Sequence, residues 1–164
     1  ELRQDGYLKI GGVYRILFEA TFLQGFSGER ETFFQIHGNF KACHASPPVM
    51  LKMNDGKLSV MALHRVSGNG LNGGSGQHRP VQSGTFRVGD LYGKPLKFSI
   101  DVDFRQNPAR LSIVMNGRRI VNNAAVEYAP CAKPYLKMGV YRPGGKGAGT
   151  SSVVFDDIQL VEVK

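Results

Sequence analysis

Two short strings carry the side chains best suited to acid-base chemistry. Phe34-Gln35-Ile36-His37 and Tyr135-Leu136-Lys137-Met138-Gly139-Val140-Tyr141 both read as strands. Successive side chains of a strand point to opposite faces. Gln35 and His37 therefore share a face, as do Lys137 and Tyr141, while Phe34, Ile36, Met138 and Val140 point towards a core. An amide, a base, a cation and a phenol meeting on one sheet surface could take a proton from carbon beside a carboxylate and return one to a leaving oxygen.

The elements that must position these groups are short strands. Segments 14–22, 30–37, 49–53, 58–64, 96–104, 111–115, 119–121, 135–141 and 152–163 have strand character. Asn54-Asp55-Gly56 and Asn116-Gly117 mark two hairpins. Residues 67–84 are rich in Gly, Asn and Ser without apolar periodicity and read as a long functional loop, and 143–149 as a second loop. With 21 glycines, no tryptophan and no long 3.6-residue pattern, the expected fold is all-β: a two-sheet antiparallel sandwich of the jelly-roll kind. The 164 residues make one domain, 1–164, without repeat or linker.

The formal net charge of +8 favours a polyanionic partner. The basic residues are scattered, and neither zinc spacing nor an RNA-recognition string is present, so nucleic acid is set aside in favour of an acidic polysaccharide. No apolar run approaches the ~18 residues of a membrane helix, so no membrane partner is expected, and the expected form is a monomer. Cys43 and Cys131 are too distant for a CxxC site. If the two opening strands pair antiparallel with His37 opposite Lys137, Cys43 and Cys131 fall at the same end of the ladder. That points to a disulfide and to a secreted or periplasmic setting.

Several strings occur in a telling order: Gln35-Ile36-His37-Gly38, Pro47-Pro48-Val49-Met50-Leu51-Lys52, Asn116-Gly117, Tyr135 to Arg142, and Val154-Phe155-Asp156-Asp157-Ile158. The set resembles polysaccharide lyases with a concanavalin A-like jelly roll, a group that includes heparin, glucuronan and alginate lyases. Glu1-Leu2-Arg3 looks like the end of the arginine-x-glutamate-leucine-arginine strand of alginate lyases, which implies that a strand preceding Glu1 is missing. The resemblance implies β-elimination on a uronate polymer such as alginate, glucuronan or a glycosaminoglycan. Gln35 would neutralise the carboxylate with Arg3 or Lys137 nearby, His37 would be the base, and Tyr141 the acid. In relatives acting on the opposite C5 configuration, a tyrosine of this kind is thought to do both jobs.

Arg15, His78 and Arg142 are further candidates for substrate binding, with His78 in the long loop and Arg15 alternating with Glu19 on one strand face. His44 and His64 read as structural. Asp101 and Asp103 invite comparison with paired-carboxylate hydrolases, but lack the glutamate string of the related sandwich enzymes and read as solvent-face residues. No metal site is expected, and no organic cofactor is needed for proton transfer; Asp156 and Asp157 leave open only a structural calcium ion with ligands from elsewhere. The rival reading is a non-catalytic carbohydrate-binding module or lectin for acidic glycans.

Overall fold

The computed structural model describes residues 2–26, 28–38, 46–66, 76–129, 131–142 and 150–163. Its strands are β1 (Leu2–Arg3), β2 (Val13–Phe22), β3 (Glu31–His37), β4 (Val49–Asn54), β5 (Lys57–Val66), β6 (Gly76–Arg87), β7 (Leu96–Asp103), β8 (Ala109–Met115), β9 (Arg118–Val126), β10 (Tyr135–Tyr141) and β11 (Val153–Glu162). They form two antiparallel sheets. One is ordered β1-β10-β3-β4-β5-β6 and the other β11-β2-β7-β8-β9. The sandwich expected from the sequence is the one observed, and both hairpins turn where the sequence places them: Asp55, Gly56, Asn116 and Gly117 all have positive φ.

Alternation builds the core. Tyr14, Ile16, Phe18, Ala20 and Phe22 of β2 point inward, as do Val49, Leu51 and Met53 of β4 and Leu58, Val60 and Ala62 of β5. Aromatic contacts tie the layers together. Phe18 stacks on Phe98 within its own sheet at 5.0 Å and on Phe34 across the sandwich at 5.2 Å.

At Phe33 the alternation of β3 breaks. Between Thr32 and Phe34, β3 has one residue where β4 has none between their partners Lys52 and Leu51, and β10 has two between Met138 and Tyr141. Phe33 and Phe34 consequently both face the core, each fully buried. Thr32 moves to the outer face with Gln35 and His37, opposite Lys52 on one side and Tyr141 on the other.

Two sequence readings change. Residues 76–87, expected within or just after a loop, form β6. This strand holds Pro80 and pairs with β5 alone, and a sheet edge tolerates proline because no second neighbour needs its missing N–H. Residues 67–75 lie outside the described residues. The β3–β10 register also differs from the one assumed: His37 lies opposite Tyr135 and Lys137 opposite Gln35. The ladder ends at the His37 pair, so register no longer argues for a Cys43–Cys131 bridge; Cys43 lies outside the described residues.

Candidate active site

The outer face of the six-stranded sheet collects the expected groups. Pairing runs Arg3 to Lys137 to Gln35 to Met50 to Met61 across five strands. With strands about 4.8 Å apart, this row is about 19 Å long. A second row runs Tyr141, Thr32, Lys52, Ser59, and Tyr135 pairs with His37 at the other end of the ladder. A small hollow on this face is lined by Thr32, Gln35, Lys137 and Tyr141 among others. The structure thus brings together two strings separated by about a hundred residues.

His37 is held in a form its chemistry can use. The Nδ1 of His37 lies 2.6 Å from the Gly38 carbonyl oxygen. A carbonyl only accepts, so Nδ1 carries the proton and Nε2 is the basic nitrogen of the neutral ring. Burial pushes the His37 pKa below its ordinary value, and the positive charge of Arg3 lowers it further against the opposing hydrogen bond to Gly38. The ring is therefore neutral near pH 7, as a base must be.

Tyr135 organises the surroundings. Its ring lies 5.3 Å from the His37 ring, and the Arg3 guanidinium packs over it at 4.4 Å. Arg3 thereby reaches the site although β1 is only two residues long.

Gln35 is 8% exposed, and among the described residues its side-chain amide has no hydrogen-bond partner. An unpaired amide beside a neutral histidine is a donor waiting for an oxygen from outside the protein. Tyr141 is 52% exposed at the rim, and its hydroxyl too is unpartnered among the described residues.

Other expected site residues lie elsewhere. Arg15 projects from the outer face of the opposite sheet, where Nε and Nη2 donate to the Asp101 carboxylate at 2.7 and 3.0 Å. Its strand belongs to the layer behind the core, so it lines no groove with Gln35. Arg142 turns away from the site to pair with the buried Glu31, whose carboxylate also accepts from the Gly28 amide and the Ser151 hydroxyl. Adjacent to Tyr141 in sequence, Arg142 anchors the end of β10. His78 lies on β6, with Nε2 2.7 Å from the Pro47 carbonyl oxygen; burial and the charge of Lys52 lower its pKa.

Asp101 and Asp103 are engaged by Arg15 and Arg105, and His64 is exposed. His44 lies outside the described residues. Among the described residues no group of three or more His, Cys, Asp or Glu side chains could hold a metal ion.

Sequence reasoning assigned no role to Lys52 or Tyr135. The signal for Lys52 was present: in Val49-Met50-Leu51-Lys52 the alternation that buries Val49 and Leu51 turns Lys52 to the face of Met50. That of Tyr135 was not, because its value lies in contacts with Arg3 and His37, distant in sequence.

Fold and face together define a jelly-roll sandwich with an acid-base set on the outer surface of one sheet. The chain belongs to the polysaccharide lyase family, whose description matches residues 1–159. Among solved structures it is similar to alginate lyase PA1167 from Pseudomonas aeruginosa, at 19% identity and a TM-score of 0.62, covering 96% of this chain and 68% of that one. It is also similar to alginate lyase A1-II', a member of polysaccharide lyase family 7, at 19% identity and a TM-score of 0.63, covering 95% and 64%. Sheep galectin-11 shares the fold at 13% identity and a TM-score of 0.56, covering 98% and 96%. The chain thus spans about two thirds of the length of these two lyases. No curated protein matches it.

Proposed function

We propose that this domain cleaves a uronate-containing polysaccharide such as alginate by β-elimination. The observation that carries the reading is the unpartnered amide of Gln35 next to the neutral His37 on the face that also holds Tyr141. Gln35, assisted by Arg3 or Lys137, binds the uronate carboxylate and stabilises the charge that develops there when the C5 proton leaves. His37 takes that proton at Nε2. The electron pair becomes the C4–C5 double bond, the C4–oxygen bond breaks, and Tyr141 protonates the departing oxygen. The net charge of +8 attracts such a polymer from a distance.

No cofactor is part of this scheme. An exported protein belongs to the same proposal, since a polymer too large to cross a membrane is met outside the cell.

The test is ultraviolet absorbance of the unsaturated product on alginate, polyglucuronate, heparin and hyaluronan. A rise on at least one is expected, lost in His37→Ala. A folded protein that gives no rise on any of them overturns the reading. The likeness to a galectin keeps a binding module as the second reading; it predicts that an acidic glycan is bound and recovered uncut.

A further inference from the structure

Lys52 is a further cation on the site face, besides Arg3 and Lys137, whose position calls for an anion. It is half-buried, and among the described residues it has no ion pair or hydrogen bond. Its electrostatic neighbours have the same sign or none: Arg30 lies close enough to depress its pKa, after burial itself, and Lys52 in turn depresses that of His78. Arg30 likewise has no partner among the described residues and holds a left-handed backbone at φ 54°, a conformation uncommon for a side chain of its size. The nearby carboxylate of Glu31 is already committed to Arg142, Ser151 and Gly28. Two cations gathered on one surface without a counter-ion raise the free energy of the empty protein, and an arriving anion relieves it.

The strand register fixes where that anion would sit. Gln35 pairs with Met50, and Lys52 is two residues further along the same strand, a diagonal of about 7–8 Å between Cα atoms. Lys52 also lies directly across Thr32 from Tyr141. Lys52 stands in the Thr32–Tyr141 row rather than in the row of Gln35, and the apolar side chain of Met50 lies beside it on the same face as a floor for a sugar ring.

We propose that Lys52, with Arg30, forms a second anionic subsite that takes the carboxylate of another uronate of the same chain, on the far side of Thr32 from Tyr141. This rests on the lyase reading of the site. The subsite acts in binding rather than in proton transfer. It fixes the polymer's direction across the sheet and makes the protein prefer chains long enough to span both positions.

The experiment compares wild type, Lys52→Gln and Lys52→Arg for turnover and for equilibrium binding of alginate and polyglucuronate, by calorimetry, each polymer as long chains and as short oligomers. For Lys52→Gln the expected result is KM and Kd weaker by about tenfold on long chains, kcat within about twofold, and a smaller loss on oligomers too short to span both positions. Lys52→Arg should recover most of the affinity, and the wild-type advantage should shrink as salt rises. Unchanged KM and Kd in Lys52→Gln, with wild type still turning over substrate, overturns the subsite and leaves the lyase reading intact. Binding without turnover in wild type overturns the lyase reading, while the Kd comparison still decides the subsite. Equal losses of kcat and affinity on polymers of every length would also overturn it.

Discussion

Replacing Gln35 by leucine separates a catalytic amide from a structural one. A buried glutamine that holds a fold together does so through hydrogen bonds, and removing it strands their partners at a cost of about 1–3 kcal/mol each. Gln35 has no such partner among the described residues, and its side chain is almost as large as that of leucine. Gln35→Leu should therefore leave the thermal midpoint and the denaturant midpoint unchanged or slightly raised.

The rate should behave oppositely. A donor aimed at charge developing in the transition state is worth about 2.7–4 kcal/mol, so kcat should fall by about 10²–10³. The assay is initial-rate ultraviolet absorbance at saturating polymer, paired with calorimetric melting of the same preparation. A rate loss below about tenfold, or 1.4 kcal/mol, would refute the assignment. So would a large rate loss accompanied by a comparable loss of stability, since the amide would then have a structural partner.

Other consequences follow from the same geometry. His37→Ala and Tyr141→Phe should each lower kcat/KM by about 10²–10⁴, with melting curves near wild type for the exposed Tyr141; a Tyr141→Phe protein of full activity would remove the phenol from the mechanism. The acid limb of the kcat/KM profile should lie below the ordinary histidine value of 6.5, and Arg3→Ala should move it upward, because the Arg3 charge is one cause of the depression; a limb that stays in place or moves down contradicts this. His37 and His78 both have depressed pKa values in the fold, so the unfolded chain binds more protons. Their contribution to stability is complete above 6.5 and is lost as pH falls through the folded values, which urea melts across that window would detect as a falling midpoint. Glu31→Ala leaves Arg142 partly buried without its carboxylate and should cost about 3 kcal/mol or more; a denaturant midpoint equal to wild type would show that the ion pair carries little.

Much of this molecule is legible in its sequence, for reasons that concern local physics. Period-two alternation in Tyr14 to Phe22 and Val49 to Met53 forces a one-sided burial, and the Asp55-Gly56 and Asn116-Gly117 pairs accept the positive φ that a tight hairpin demands. Those signals are properties of neighbouring residues, so the all-β class and the shared faces of Gln35 with His37 and of Lys137 with Tyr141 can be read without coordinates. The resemblance of the strings to the polysaccharide lyases agrees with the family match over residues 1–159.

Tertiary structure decided what depends on which strand lies beside which. It set Lys137 opposite Gln35 rather than His37, gave the glycine-rich stretch after residue 75 a place as an edge strand, and put Arg15 on the far sheet. It also turned Arg142 to a buried glutamate 111 residues away in sequence. The extra residue at Phe33, which brings Thr32 to the working face, registers only against β4 and β10. A strand's own sequence says which residues share a face. The identity and register of its neighbours come from packing the two sheets around Phe18, Phe34 and Phe98, and they determine whether two reactive faces become one site.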